Sequence, residues 1–356
     1  MPISSDLLAF LIAFIASAAL TLPIRRLALK VGMVDKPGPR KVHLKPIPLL
    51  GGLAIYCGFV LAVLVTLHIN VSRQIVSVIA GATLVAFVGF MDDRRLLHHQ
   101  IKLFLGMPAA ALLLISTGIR AHIISNYVPG SVGIVLDSAL TIVWVVGITA
   151  AFSILDHMDG LCAGIAAIAA LFFTMAANQS GQVLVRTLGA ATLGAALGFL
   201  GWNFKPAKIF MGDGGAMLLG FLMAALSLKL RPEVDHVGTP SSVLIPVLIL
   251  GVPIFDTTLV SISRSRRGLV PFTSPGKDHT AHRLSNVGLG QRGAVLCLYA
   301  LGAVFGLLAI FIPRVSAGQA YGLTAAVVLC GLVAIYILEN VPYERQAKIP
   351  ASPTTS

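Results

Sequence analysis

Apolar residues recur along nearly the whole chain in stretches of about 17 to 25, each long enough to cross a bilayer as a helix. Eleven such stretches are centred near Phe14, Cys57, Gly81, Ala110, Val145, Ile168, Thr192, Phe221, Leu250, Ala303 and Val328. The pattern predicts an all-α polytopic membrane protein of about eleven transmembrane helices. Residues 1–340 are expected to form one multi-span domain, and the polar residues 341–356, ending "AKIPASPTTS", a short disordered cytoplasmic tail. The first stretch is too long for a signal peptide and lacks a small-residue cleavage site, so it is expected to stay as an anchor. Between two spans, "IRAHIISNYVPGSVGIVLD" carries turn signals and β-branched residues that suit a short external β-hairpin.

Composition agrees with this reading. Of the 356 residues 56% are hydrophobic and 11% charged, and the mean hydropathy is +0.90, outside the range of soluble globular proteins. Cys57, Cys162, Cys297 and Cys330 all fall inside the apolar spans without paired spacing, as small packing residues do. The net charge of +12 would suit a nucleic-acid partner, but its distribution does not. One alternate set of loops holds most of the Lys and Arg, from Arg25 and Arg26 through Arg94, Lys208 and Arg264 to Lys348. The other holds only Arg73, Arg120, Arg186, Lys229, Arg231 and Arg314. By the positive-inside rule the richer face is cytoplasmic, with the N-terminus outside and the C-terminus inside. The charge is then mostly topology, with lipid headgroups as partner and no nucleic acid.

The acids break the pattern. Asp35, Asp92, Asp93, Asp156, Asp159, Asp213, Asp256 and Asp278 all lie on the basic face, in loops or at span ends, whereas the outer face has Asp6, Asp137, Glu233 and Asp235. Orientation needs only Lys and Arg there. Acids at membrane depth cost about 2.5 to 3.5 kcal/mol on insertion scales and usually face an interior site. Carboxylates ringed by Lys, Arg and His are what a Mg²⁺-bound phosphate compound needs. The two long cytoplasmic loops, Arg25 to Pro48 and Arg264 to Arg292, are rich in Gly, Pro and base, as ligand-facing loops are.

Four segments concentrate the chemistry. Asp92 and Asp93 in "FVGFMDDRRLLHHQIKLFLG" are adjacent like charges that raise each other's pKa unless a cation sits nearby. Asp156 and Asp159 in "LDHMDGL" share one turn; helix capping and ligand binding suit them equally. Asp213 in "IFMGDGGAMLLG" lies between glycines, where backbone N–H groups at a helix start can approach an anion. His279 and His282 in "DHTAHRL" have a spacing conceivable for zinc, but with no Cys or third His near in sequence, phosphate contact is the better reading.

Together with the "GMVDKPGPRKVHLKPIPLLGG" loop, these segments resemble, in order and from Gly32 to about Arg292, the polyprenyl-phosphate N-acetylhexosamine-1-phosphate transferase family, the group that contains WecA and TagO and is related to MraY. The resemblance implies transfer of a sugar 1-phosphate, N-acetylglucosamine 1-phosphate being favoured, from a UDP-sugar to polyprenyl (undecaprenyl) phosphate with release of UMP, at the bacterial plasma membrane as a first step of cell-envelope glycan synthesis. It implies Mg²⁺ as cofactor with Mn²⁺ as substitute, and admits a homodimer. It makes Asp213 and Asp93 metal ligands, places Asp92 and Asp93 beside metal and lipid phosphate as catalytic acids with Asp92 the preferred base, puts Phe210 against the uracil, and sets Asn203, Asp156 and Asp159 around the nucleoside. Lys45, Lys102, His279, His282 and Arg283 are implied as phosphate contacts.

Some positions depart from the family pattern. Ala150 and Ser153 stand where Asn-x-x-Asn is usual, the second Asn touching the metal in some relatives; Ala281 replaces the middle histidine of His-x-His-His. Leu49, Ala216 and Gly106 stand for the common Arg, Ser and Gln. A transporter or flippase of an anionic lipid or sugar phosphate is the competing class. It would place polar groups near the midplane in repeated, broken helices, and here they gather on one side. An inactive scaffold is the third reading, weighed against by Asp92, Asp93, Asp213 and His282.

Overall fold

A computed structural model describes residues 4–35, 46–67, 72–94, 96–97, 99–231, 241–270 and 276–341. Lys45, and the expected tail beyond Val341, lie outside the described residues.

Helices follow one another along the chain. α1 (Ser5–Lys30) leads through a two-residue ladder, β1 (Val34–Asp35) antiparallel to β2 (Ile47–Pro48), into α2 (Gly51–Leu67). α3 (Arg73–Asp93) starts at Ser72, whose Oγ accepts from Ile75 N at 3.3 Å, an N-cap that supplies one orphan donor with a partner. The three-residue α4 (His99–Ile101) passes through a loosely wound segment, Lys102–Gly106, into α5 (Met107–Ser116). Then come α6 (Ser131–Leu155), α7 (Leu161–Gln179), α8 (Val183–Asn203), α9 (Gly212–Lys229), α10 (Ser241–Ile249) and α11 (Gly251–Ser265). The short α12 (Thr280–Leu284), α13 (Gly290–Phe311) and α14 (Ala317–Glu339) complete the order.

Each of the eleven apolar centres falls on a helix, except Leu250, which marks a break. By length and composition, seven helices can cross a membrane, or eight if α10 and α11, bent by 74°, count as one broken span. The expected eleven is therefore not what the described helices give. α2, at 17 residues, and the run Lys102–Ser116 are short. α9 is apolar for another reason: it is the inner helix of the bundle.

Every residue of α9 from Gly214 to Leu228 is buried, and α2, α3, α6, α7 and α8 pack around it. A helix that is apolar all round belongs at a centre, not at a surface. Its first turn is approached closely. A Cβ on Gly52 would lie 2.3 Å from Gly215 N, and one on Gly89 would lie 2.5 Å from Gly214 N. Small residues there let the backbones of α2 and α3 meet the start of α9. By contrast, only Ala320 and Ile335 of α14 are buried, the pattern of a helix facing hydrocarbon.

Two expectations are corrected. The stretch 119–137 forms no hairpin: a 3₁₀ turn, Ile124–Asn126, is followed by α6. The fully buried Asp137 accepts from the backbone N–H groups of Ile123 (3.1 Å), Ile124 (2.8 Å) and Ser125 (3.1 Å), the donors a strand would have given to a ladder. Within Arg264–Arg292, residues 280–284 are helical and wind on through 285–289 into α13, so this loop is in part a helix entry.

Candidate active site

The carboxylates meet where α3 ends and α9 begins. Asp92 and Asp93 are the last two residues of α3, and Asp213 is the second of α9. Lys102 Nζ donates to Asp92 Oδ2 at 2.6 Å and to Asp213 Oδ2 at 2.8 Å. Ser153 Oγ, from the last turns of α6, donates to Asp213 Oδ1 at 2.8 Å. The end of α3, the segment Lys102–Gly106, the end of α6 and the start of α9 thus meet at this pair of acids.

The adjacent aspartates do different work. Asp93 accepts from Asp213 N at 2.8 Å and Gly214 N at 3.2 Å, so it caps α9 from the neighbouring helix. The anion that meets the N–H groups at the glycine-flanked helix start is therefore supplied by the chain itself. Gly212 makes this approach possible: its φ is +72°, and a Cβ there would lie 2.4 Å from Asp93 Oδ2. Asp92, with no such tie among the described residues, shares its cation with Asp213.

This donor set fits a hard divalent cation. Two carboxylates already drawn to one ammonium group, with a hydroxyl beside them, are the oxygen ligands Mg²⁺ or Mn²⁺ takes. Asp156, between α6 and α7, lies in the same field. Burial first, then the negative charges of Asp213, Asp93 and Asp159, raise its carboxyl to about 8.

The aspartate loop is bound to the loop before α9. Asn203 is buried and uses both ends of its amide: Oδ1 accepts from Gly160 N and Nδ2 donates to Ile209 O, both at 3.0 Å. Asp159 Oδ2 accepts from Ala207 N at 3.1 Å. Tyr299 of α13 adds a bond from its hydroxyl to Gly160 O. Phe210 is gripped by the end of the loop between α1 and α2, its N donating to Pro48 O and its O accepting from Gly51 N, each at 2.9 Å. Asn203 and Asp159 thus shape the walls on which Phe210 and Asp156 are presented.

The histidines assemble next to this loop. His157 stacks on His279, with centroids 4.0 Å apart and planes inclined by 21°, and on His282 at 4.8 Å and 26°. A third imidazole is therefore close in space, contrary to the reading from sequence, and it comes from the aspartate loop, where Ala281 leaves the histidine loop short of one. A shared zinc ion does not follow. A bound ion lies in the plane of each imidazole, and planes this nearly parallel and this far apart converge well beyond a Zn–N bond of about 2.0–2.1 Å. Burial first, then the charge of His279, holds His157 well below the usual imidazole range.

Arg283 occupies a different place. It is fully buried, donating from Nε to Asp278 O (2.9 Å), from Nη1 to Leu338 O (2.6 Å) and from Nη2 to Ser263 Oγ (2.8 Å), with Glu339 Oε1 at 2.7 Å. These contacts fasten the histidine loop to α11 and α14. Asp278 joins them through Arg264 and Arg267. Burial pushes its carboxyl up, but the hydrogen bond and charge of Arg264, then the hydrogen bond of Arg267, bring it down to about 2.

Reading the sequence overlooked His157 and Asp256. Both were in plain view, His157 within the "LDHMDGL" segment and Asp256 as an acid inside an apolar run, a costly placement that signals a partner.

Carboxylates around a fixed lysine, with clustered imidazoles beside them, form a polar site at one end of an apolar helical bundle. Comparison with known proteins narrows the class. Residues 75–231 match the model of glycosyl transferase family 4. The chain is 38% identical over 309 residues to a probable undecaprenyl-phosphate N-acetylglucosaminyl 1-phosphate transferase of Bacillus subtilis (strain 168), covering 85% of this chain and 83% of the relative. It is 34% identical over 370 aligned positions to a decaprenyl-phosphate N-acetylglucosaminephosphotransferase of Mycobacterium tuberculosis H37Rv (94% and 89%). To an undecaprenyl-phosphate alpha-N-acetylglucosaminyl 1-phosphate transferase of Escherichia coli K12 it is 28% identical over 320 residues (87% and 84%). The chain belongs to the polyprenyl-phosphate N-acetylhexosamine-1-phosphate transferase family.

Proposed function

We propose that this membrane protein transfers N-acetylglucosamine 1-phosphate from UDP-N-acetylglucosamine to a polyprenyl phosphate. An oxygen of the lipid phosphate attacks the sugar-bearing phosphorus, a new P–O bond forms, the diphosphate bridge breaks, and UMP leaves. The observation that carries this reading is the convergence of Asp92 and Asp213 on one cationic group at the mouth of the bundle, within reach of a lipid-embedded acceptor.

Both substrates are anionic, so the protein's task is to position them and offset charge. Asp92 and Asp213 would hold Mg²⁺, or Mn²⁺ in its place, whose charge offsets that developing on the transferred phosphoryl group. Lys102 supplies a fixed positive charge beside them. Asp92 takes up the proton of a monoprotonated acceptor, a role that suits it better than Asp93, whose two oxygens are held by backbone N–H groups. Phe210 offers a face for the uracil, and Asp156 lines the nucleoside side. His279 and His282 meet the diphosphate.

The excess of Lys and Arg on the loops that carry the site supports a cytoplasmic orientation in the plasma membrane, where nucleotide sugars are available. The test is UMP release by the purified protein in lipid nanodiscs with polyprenyl phosphate, Mg²⁺ and a panel of UDP-sugars. Release with UDP-N-acetylglucosamine above the others is expected; no release with any member of the panel refutes the proposal.

A further inference from the structure

Asp256 has no part in the reaction described so far, yet it is among the least comfortable groups in the molecule. It sits inside α11, 1% exposed, where an unpaired carboxylate would be very costly. Its partners are two consecutive residues of the histidine loop. Oδ2 lies 3.0 Å from His279 Nδ1, and Oδ1 accepts from Thr280 N at 2.7 Å. One carboxylate therefore sets both the ring of His279 and the backbone that carries it.

The other side of the ring is set too. His157 lies face to face with His279, and its own Nδ1 is 3.1 Å from Ile154 O. His282 packs on the same His157 ring. The titratable groups around His279 are thus Asp256 from α11, His157 from the aspartate loop, His282 from α12, and Lys277 and Asp278 just before it.

We infer that Asp256 is a positioning residue: by accepting Nδ1–H it fixes the orientation and tautomer of His279, so that Nε2 is the atom offered to a substrate phosphate oxygen, with His157 as the wall behind the ring. The chemistry is that of a histidine oriented by a carboxylate, where the partner of one nitrogen decides what the other can do. The inference rests on the transferase reading above. A carboxylate that served only to cap α12 would need the bond to Thr280 N alone and would place no demand on His279.

A double-mutant cycle separates the two. Full-length protein in nanodiscs is assayed for UMP release from UDP-N-acetylglucosamine with undecaprenyl phosphate and Mg²⁺. Asp256→Asn is expected to lower kcat by about 10- to 100-fold while KM for the nucleotide sugar stays within about twofold. In a His279→Ala background the same change is expected to alter the residual rate by less than about twofold, because its effect runs through His279. Equal losses in both backgrounds, or an undiminished kcat in Asp256→Asn, overturn the inference. If Asp256→Asn does not accumulate as folded protein, Asp256→Glu, which keeps the charge but displaces it, goes through the same cycle and is judged by the same two outcomes. An inactive parent protein would count against the transferase reading, whereas an active parent with additive losses counts against Asp256 alone.

Discussion

Ser153 donates its hydroxyl to Asp213 Oδ1 at 2.8 Å, from the position where the family pattern usually has the second asparagine of Asn-x-x-Asn. The shorter side chain still touches the carboxylate it needs to orient. Ser153→Ala is expected to lower kcat by about 3- to 10-fold by removing one hydrogen bond of about 1 kcal/mol, and Ser153→Asn to keep or strengthen the response to Mg²⁺. UMP release across a Mg²⁺ titration measures both. Loss of all activity in Ser153→Asn would mean that Asp213 is oriented differently.

Asp213→Asn removes the charge that pairs with Lys102 and that would hold Mg²⁺ in the proposed reaction. A fall in UMP release of more than about 100-fold is expected, at unchanged thermal stability within about 3 °C. Turnover close to the parent's would contradict the role of Asp213.

Gly212→Ala tests the joint between α3 and α9. The new methyl would lie on Asp93 Oδ2, in a backbone conformation that L side chains avoid. Destabilisation of about 1–3 kcal/mol together with strongly reduced activity is expected, read by thermal unfolding and UMP release. Parent-like values in both would show that Asp93 does not need its approach to the start of α9.

Phe210→Ala should raise KM for the nucleotide sugar about 10-fold or more, from loss of one aromatic stacking surface, and leave KM for the lipid nearly unchanged. An equal effect on both substrates would remove Phe210 from the uracil site.

The protonation of Asp156 gives a pH signature. Its carboxyl titrates at about 8 in the folded protein against about 3.9 in an unfolded chain. The folded state therefore binds the extra proton between those values, and this contribution, complete below about 3.9, is lost as pH rises through 8. Thermal stability of the Mg²⁺-free protein should fall from pH 5 to pH 9, and fall less in Asp156→Asn. Identical pH profiles for the two proteins would contradict a proton on Asp156.

What the sequence conveyed best was local. The helical run centred near Phe221, the paired acids Asp92 and Asp93, and the glycines around Asp213 are signals written within a few residues of one another, and they led to α9 and its acidic mouth. Relations across the chain were not legible. Asp92 and Asp93 look alike in sequence and are separated in function only by which backbone donors arrive from residues 213 and 214. Asn203 stood out in sequence only as a nucleoside contact, whereas its bonds to Gly160 and Ile209 come from folding. His157 and Asp256 could not be assigned because their partner, His279, is brought to them by the path of α11 and α12. The sequence placed the apolar runs on helices but not their lengths: α2 and Lys102–Ser116 are shorter than their apolar runs suggested, and α10 and α11 are bent at Leu250.

The cap that Asp93 places on α9 gives the site an unusual vulnerability. A compound that competes for this carboxylate, by offering it stronger donors than the amides of Asp213 and Gly214, would loosen the seam between two helices at the heart of the bundle. Such an inhibitor would bind only the opened joint, so its apparent affinity would be weakened by the free energy of opening, whereas a mimic of the nucleotide sugar would meet a joint already closed.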